Sequence, residues 1–192
     1  RVRSIVAEEA ERLEAKGVEH DPSLPIGVMV EVPAVALQAP AFAKAADFLS
    51  IGTNDLTQYI LAVDRGNDLV ANRFDALHPA VLGLIKRTVE AGEEADIPVA
   101  VCGEIASDVY AVPILLGLGL DTLSASPSYL PVVKRIIRQT VQSEAQKVAK
   151  QACAAPDAET VRRLAREWVD RHIDSELFGD AESADLDEGG RD

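Results

Sequence analysis

Five residues have the types and spacing for chemistry on a phosphorylated molecule: Glu31, Asn54, Asp55, Arg65 and Cys102. Asn54 and Asp55 follow Gly52-Thr53 at the end of an apolar run, FLSIG, where a strand would stop and a helix begin. A carboxylate there can hold a hard cation, and the N–H groups of the new helix can face an anion. Asn54 serves equally well as a helix cap or as a ligand. Arg65 lies in Asp64-Arg65-Gly66-Asn67. Its ordinary use is a surface ion pair, and its functional use is a fork on phosphoryl oxygens. Glu31 interrupts the apolar run VMVEVP. A buried, unpaired charge is expensive, so Glu31 calls for a cationic partner, a metal or a rim position. Two carboxylates at neighbouring strand ends suit Mg²⁺, which takes oxygen ligands and completes its shell with waters and a substrate phosphate. Cys102, in PVAVCG, reads either as a small buried hydrophobe or as a rim thiol that gives and takes back a proton.

The elements that must position these groups alternate along the chain. An amphipathic helix is predicted over 1–16, with Gly17 as its stop. The run IGVMVEV (26–32) predicts a strand buried on both faces, ended by Pro33, and the Ala-rich stretch 34–46 predicts a helix. Further strands are predicted at 48–52, 98–103 and 122–126. Helices are predicted at 55–63, 79–95, from about 108 to the glycines at 117 and 119, and at 128–141, 143–153 and 157–172. Four strand–helix units in series imply a parallel sheet, and four are half of a (β/α)8 barrel. The fold class expected is therefore α/β, the C-terminal half of a TIM barrel plus C-terminal helices. Functional residues of such barrels sit at the C-terminal ends of strands. Glu31, Asn54, Asp55, Cys102, Gly103, Glu104, Ser124 and Ser126 all fall there. Half a barrel would leave sheet edges and an apolar interior uncovered. Together with the start at Arg1 in mid-pattern, this suggests a chain cut from a larger protein.

Bulk composition narrows the function classes. The chain has 192 residues, 47% apolar and 27% charged, ordinary values for a globular domain with a real core. Net charge is −13, but eight acidic residues and one Arg between 174 and 192 carry −7 of it, leaving −6 on residues 1–173. Residues 1–173 read as the barrel part and 174–192 as an acidic, disordered tail. No basic run is present, which argues against nucleic acid or anionic membrane as a partner. No apolar run reaches the length of a membrane span. Cys102 and Cys153 are too few for a disulfide framework, so a reduced, cytoplasmic setting is expected. His20, His78 and His172 are scattered and read as neither nucleophile nor metal ligand.

The segments IGVMVEVPA, DFLSIGTNDLTQYILAVDRGN, LHPAVLGLIK and VCGEIA, in this order, resemble the C-terminal phosphoenolpyruvate-binding domain of enzyme I of the bacterial phosphotransferase system, from about Leu24 to Ile173. SIGTNDLTQ and CGE alone would indicate only the wider family of phosphoenolpyruvate-utilising enzymes, which includes pyruvate phosphate dikinase and phosphoenolpyruvate synthase. YILAVDRGN points to enzyme I. The resemblance implies Mg²⁺ on Glu31 and Asp55, substrate held by Asn54, Asp55 and Arg65, and Cys102 as the proton donor that turns the enolate into pyruvate. It implies transfer of the phosphoryl group to a histidine on a separate N-terminal domain and on to HPr, in sugar uptake or a nitrogen-related branch. It also implies a homodimer. A fragment without that histidine would be inactive, or would serve only as a dimerisation piece.

Overall fold

The computed structural model describes residues 1–174. The expected acidic tail lies outside the described residues, apart from Asp174. The chain runs α1 (Val2–Ala15), β1 (Val28–Val30), α2 (Pro33–Leu37), α3 (Ala39–Ala43), β2 (Leu49–Gly52), α4 (Thr53–Leu61), α5 (Pro79–Ala95), β3 (Val99–Cys102), α6 (Val112–Gly117), β4 (Thr122–Ser124), α7 (Leu130–Gln139), α8 (Gln142–Cys153) and α9 (Ala158–His172). Short 3-10 turns at Ala71–Arg73, Glu104–Ser107 and Pro127–Tyr129 fill the connections. The four strands form one parallel sheet in the order β1-β2-β3-β4, as strands joined by helical crossovers must. Among the described residues the sheet is open, with β1 and β4 at its edges.

Register divides the sheet into two faces. Val30, Ile51, Val101 and Leu123 align across the strands, and the first three are fully buried. Their face packs on the helical layer, where α5 buries Val81, Leu82, Ile85 and Val89. The opposite face carries Met29, Ser50, Ala100 and Thr122 in one row, and Gly52, Cys102 and Ser124 in the next. Met29 is 47% exposed there. The strand in IGVMVEV was expected to be buried on both faces. It is shorter than that run and covered on one face only, because no described element packs on the side where Met29 points.

Two further expectations are refined. The stretch 34–46 is two short helices, because Pro40 has no N–H and sits in the first turn of α3, so the chain restarts at Gln38. The helix expected from about 108 forms at Val112, with Pro113 in its first turn. At its end Gly117 lies against the backbone of Ala145 in α8, and any side chain at 117 would collide with that carbonyl. The C-terminal helices close the layer through Ala145, Val148, Val161, Ala165, Trp168 and Val169. Helix α1 has no buried residue and is held by Arg3, which donates to Ala45 O and pairs with Asp47 at 2.8 Å. Arg3 and the Ile26 N–H together lower the Asp47 carboxyl pKa below its ordinary value.

Candidate active site at the strand ends

Parallel pairing puts Gly52, Cys102 and Ser124 side by side at the C-terminal end of the sheet. Glu31, one residue past β1, extends the row. A Cβ placed on Gly52 would lie 3.1 Å from Glu31 Cβ and 3.2 Å from its Oε2. Glycine at 52 therefore makes room for the Glu31 carboxylate. The helix that follows, α4, starts at Thr53, two residues earlier than the sequence suggests, with Gly52 as its N-cap. Gly52 has no side chain with which to cap, so the first N–H groups of α4 have no side-chain partner, and Asp55 sits in the first turn.

Asn54 is not the cap. It pairs instead across the strand ends with Glu104, accepting from the Glu104 N–H at 3.3 Å and donating from Nδ2 to Glu104 Oε1 at 3.4 Å. Gly103 makes this approach possible. Its φ is +105°, a conformation that side-chain-bearing residues rarely adopt, and a Cβ there would crowd Thr53 Oγ1 and Asn54 Oδ1. Thr53 Oγ1 donates to Cys102 O at 2.9 Å and closes the same contact from below. Arg65 reaches this cluster too, with Nη1 3.7 Å from Glu104 Oε1, and its backbone N–H donates to Gln58 Oε1 at 3.3 Å. One Glu104 oxygen thus faces both Asn54 Nδ2 and Arg65 Nη1. This is the arrangement an anionic oxygen of a ligand would adopt between two donors.

Cys102 is half-buried on the open face, not a core residue. Its thiol donates to Ile51 O at 3.4 Å and accepts from Ser50 Oγ at 3.7 Å. The Ser50 hydroxyl can stabilise a thiolate after proton transfer. The sequence reading did not single out Ser50, although its place two residues before Gly52 puts it on the same face. Nor does the sequence announce the bond of Thr53 to Cys102, 49 residues on, or that of Gln58 to the Arg65 N–H.

Among the described residues, neither Glu31 nor Asp55 makes a hydrogen bond or ion pair, and no group of three or more His, Cys, Asp and Glu could hold a metal by protein ligands alone. Two half-buried carboxylates without partners fit Mg²⁺, which keeps waters and takes substrate oxygens rather than a full protein cage. Beside the cluster opens a cavity of about 780 Å³, reached by Asn54, Glu104, Tyr110, Ser126 and Tyr129.

Residues 1–142 match the family described as PEP-utilising enzyme, PEP-binding domain. The chain belongs to this family. It is 42% identical over 167 residues to a phosphoenolpyruvate-protein phosphotransferase of Cupriavidus necator, covering 85% of this chain and 28% of that protein. A protein of the same name from Haemophilus influenzae is 39% identical over 168 residues, covering 88% and 29%. A multiphosphoryl transfer protein of Xanthomonas campestris pv. campestris is 49% identical over 143 residues, covering 74% and 17%. The chain thus spans less than a third of the length of these relatives. The expected resemblance holds at the level of the phosphoenolpyruvate-binding domain. Among the described residues, no helix is long and apolar enough to cross a membrane.

Proposed function

We propose that this chain is the phosphoenolpyruvate-binding part of a Mg²⁺-dependent phosphoenolpyruvate–protein phosphotransferase. The observation that carries this reading is the set of groups collected at the strand ends: Glu31 against Gly52, Asp55 in the first turn of α4, the Asn54 and Arg65 donors on Glu104 and the thiol of Cys102, with the Glu31 and Asp55 side chains unpartnered among the described residues. Two relatives named phosphoenolpyruvate-protein phosphotransferase support the same reading.

Glu31 and Asp55 would hold Mg²⁺, which supplies charge neutralisation to the phosphoryl oxygens when bound. Asn54 Nδ2 and Arg65 donate to those oxygens, and the uncapped N–H groups of α4 add partial positive charge. The phosphoryl group leaves the enol oxygen of the substrate for the acceptor, a histidine on another domain. The electron pair of the broken P–O bond stays on the oxygen as an enolate. Cys102 Sγ–H then gives its proton to the methylene carbon, pyruvate forms, and the thiolate is held by the Ser50 hydroxyl until it regains a proton from solvent. Onward transfer to HPr, sugar uptake as the process served, closure of the sheet into an eight-stranded barrel, a homodimer and a cytoplasmic setting belong to the same reading. So does inactivity of this chain when it lacks the acceptor.

Calorimetry with phosphoenolpyruvate and Mg²⁺ tests the site: Asp55→Ala should remove metal-dependent binding, and unchanged affinity would refute the assignment. In the full-length enzyme, Cys102→Ala should abolish pyruvate formation while substrate and metal still bind. Normal turnover in that variant would exclude Cys102 as the proton donor.

A further inference from the structure

Arg162 lies on α9, outside the 1–142 stretch that matches the family, yet its guanidinium reaches back to the loop that carries Arg65 and the turn that carries Glu104. Its Nε donates to Asp75 Oδ2 at 2.6 Å and its Nη2 to Asp75 Oδ1 at 2.8 Å, a bidentate fork. Its Nη1 stands 3.5 Å from Asp108 Oδ2. Asp75 lies near the end of the loop on which Arg65 sits, and Asp108 closes the turn that opens with Gly103-Glu104. Each aspartate is also built into its own loop. Asp75 Oδ1 accepts from the Leu77 N–H at 2.9 Å, and Asp108 Oδ1 accepts from the Tyr110 N–H at 3.0 Å. The Asp75 and Asp108 side chains are only 20% and 23% exposed, so water screens this network less than it screens the other ion pairs of the surface. One turn along α9, Arg166 lies over the ring of Tyr110, 5.7 Å from its centroid, and anchors the same turn a second time.

We propose that Arg162 is a positioning residue that ties the Arg65-bearing loop and the Glu104-bearing turn into one unit, so that α9 sets the spacing across the substrate mouth. A lysine could not do this, because a point charge cannot fork onto Asp75 while reaching Asp108. The link to catalysis rests on the function proposed above, whereas the link between the loops rests on the geometry alone.

The test is hydrogen exchange across the chain, with phosphoenolpyruvate titrated in Mg²⁺, on wild type, Arg162→Ala, Arg162→Lys and Asp108→Asn. Arg163→Ala is the control, since among the described residues Arg163 makes its ion pair along its own helix, with Glu167 at 3.9 Å, and none with Asp75 or Asp108. Arg162→Ala should speed exchange by about tenfold or more in both 64–77 and 103–111, leaving α5 and β2 protected. Phosphoenolpyruvate should bind about threefold to tenfold more weakly. Arg162→Lys should behave like the alanine variant, and Arg163→Ala like wild type. Asp108→Asn keeps the fold's main anchor on Asp75 and should loosen 103–111 alone, which preserves the test if Arg162→Ala does not fold. Faster exchange in one loop only in Arg162→Ala, a uniform rise throughout the chain, or full rescue by lysine would overturn the clamp. Loosened loops with unchanged affinity would overturn its role at the mouth. A full-length wild-type enzyme that binds no phosphoenolpyruvate, with the variants showing the expected exchange pattern, would reject the proposed function and leave the clamp standing.

Discussion

The two faces of the sheet are made by the same strands and carry opposite kinds of residue. On the covered face Val30, Leu49, Ile51 and Val101 are fully buried against the helices. On the open face, one residue along each strand, stand Met29, Glu31, Ser50, Cys102 and Ser124. The period of two separates holding the fold from doing chemistry. A strand whose register slipped by one residue would bury Ser50 and Cys102 and expose Ile51 and Val101, losing both at once. The covered face is closely packed, whereas among the described residues the Glu31 and Asp55 side chains make no hydrogen bond or ion pair.

The largest effect should separate the faces by stability. Ile51→Ala removes a fully buried side chain and should cost about 2–5 kcal/mol. Met29→Ala, on the open face, should cost about 0.5 kcal/mol or less. Urea unfolding of both variants decides it. A loss for Met29→Ala as large as that for Ile51→Ala would mean that the second face is packed in solution and would break the comparison.

The next effect runs the other way. Glu31→Gln should weaken metal-dependent phosphoenolpyruvate binding by about tenfold or more, since a neutral amide is a poor Mg²⁺ ligand. Its unfolding free energy from urea titration should stay within about 0.5 kcal/mol of wild type, because among the described residues the Glu31 side chain makes no hydrogen bond or ion pair. A stability loss above that range, measured without metal, would show that Glu31 has a structural partner.

These expectations show which parts of the molecule were legible in the sequence. The order of elements could be read because most carry a local signal: an apolar run in the strands, an amphipathic stripe in α1, and Pro and Gly at the breaks. The strand-end rule then put Glu31 and Cys102 at the ends of the first and third strands and Asp55 just past the second. What could not be read depends on contacts between distant segments. Arg162 meets Asp75 across 87 residues, and nothing local to either announces the other. Asn54 carries the signal of a cap, and only the positive φ of Gly103 brings Glu104 close enough to redirect it. Whether an apolar strand is covered on one side or two is also a property of its neighbours, which is why Met29 misled.

A smaller effect tests the competition at the open end. Glu104 Oε1 faces Asn54 Nδ2 and Arg65 Nη1 at 3.4 and 3.7 Å, and its side chain is 81% exposed. Such a contact contributes about 0–1 kcal/mol and is easily displaced. Glu104→Gln should therefore tighten phosphoenolpyruvate binding by about twofold to fivefold, because the anion no longer competes with a neighbouring negative charge for the two donors. Weaker binding would mean that the carboxylate orients the two donors instead of competing for them.

The smallest effect compares the two thiols, one from each side of the molecule. Cys102 stands on the open face with Ser50 beside its sulfur. Cys153 ends α8 in the helical layer, where burial pushes its thiol above the ordinary range by more than Lys86 pulls it back, and Glu90 adds to the rise. Less of Cys153 is thiolate at any pH below that raised value, and the thiolate is the nucleophile. Iodoacetamide at about pH 8 should therefore label Cys102 about threefold to tenfold faster than Cys153, followed peptide by peptide in a mass spectrometer. Phosphoenolpyruvate with Mg²⁺ should slow labelling of Cys102 alone, since only that sulfur lies on the proposed substrate's side of the sheet. Equal rates at pH 8, or protection of Cys153 by the ligand, would mean that the two sulfurs share one environment and that the open face is no special place for a thiol.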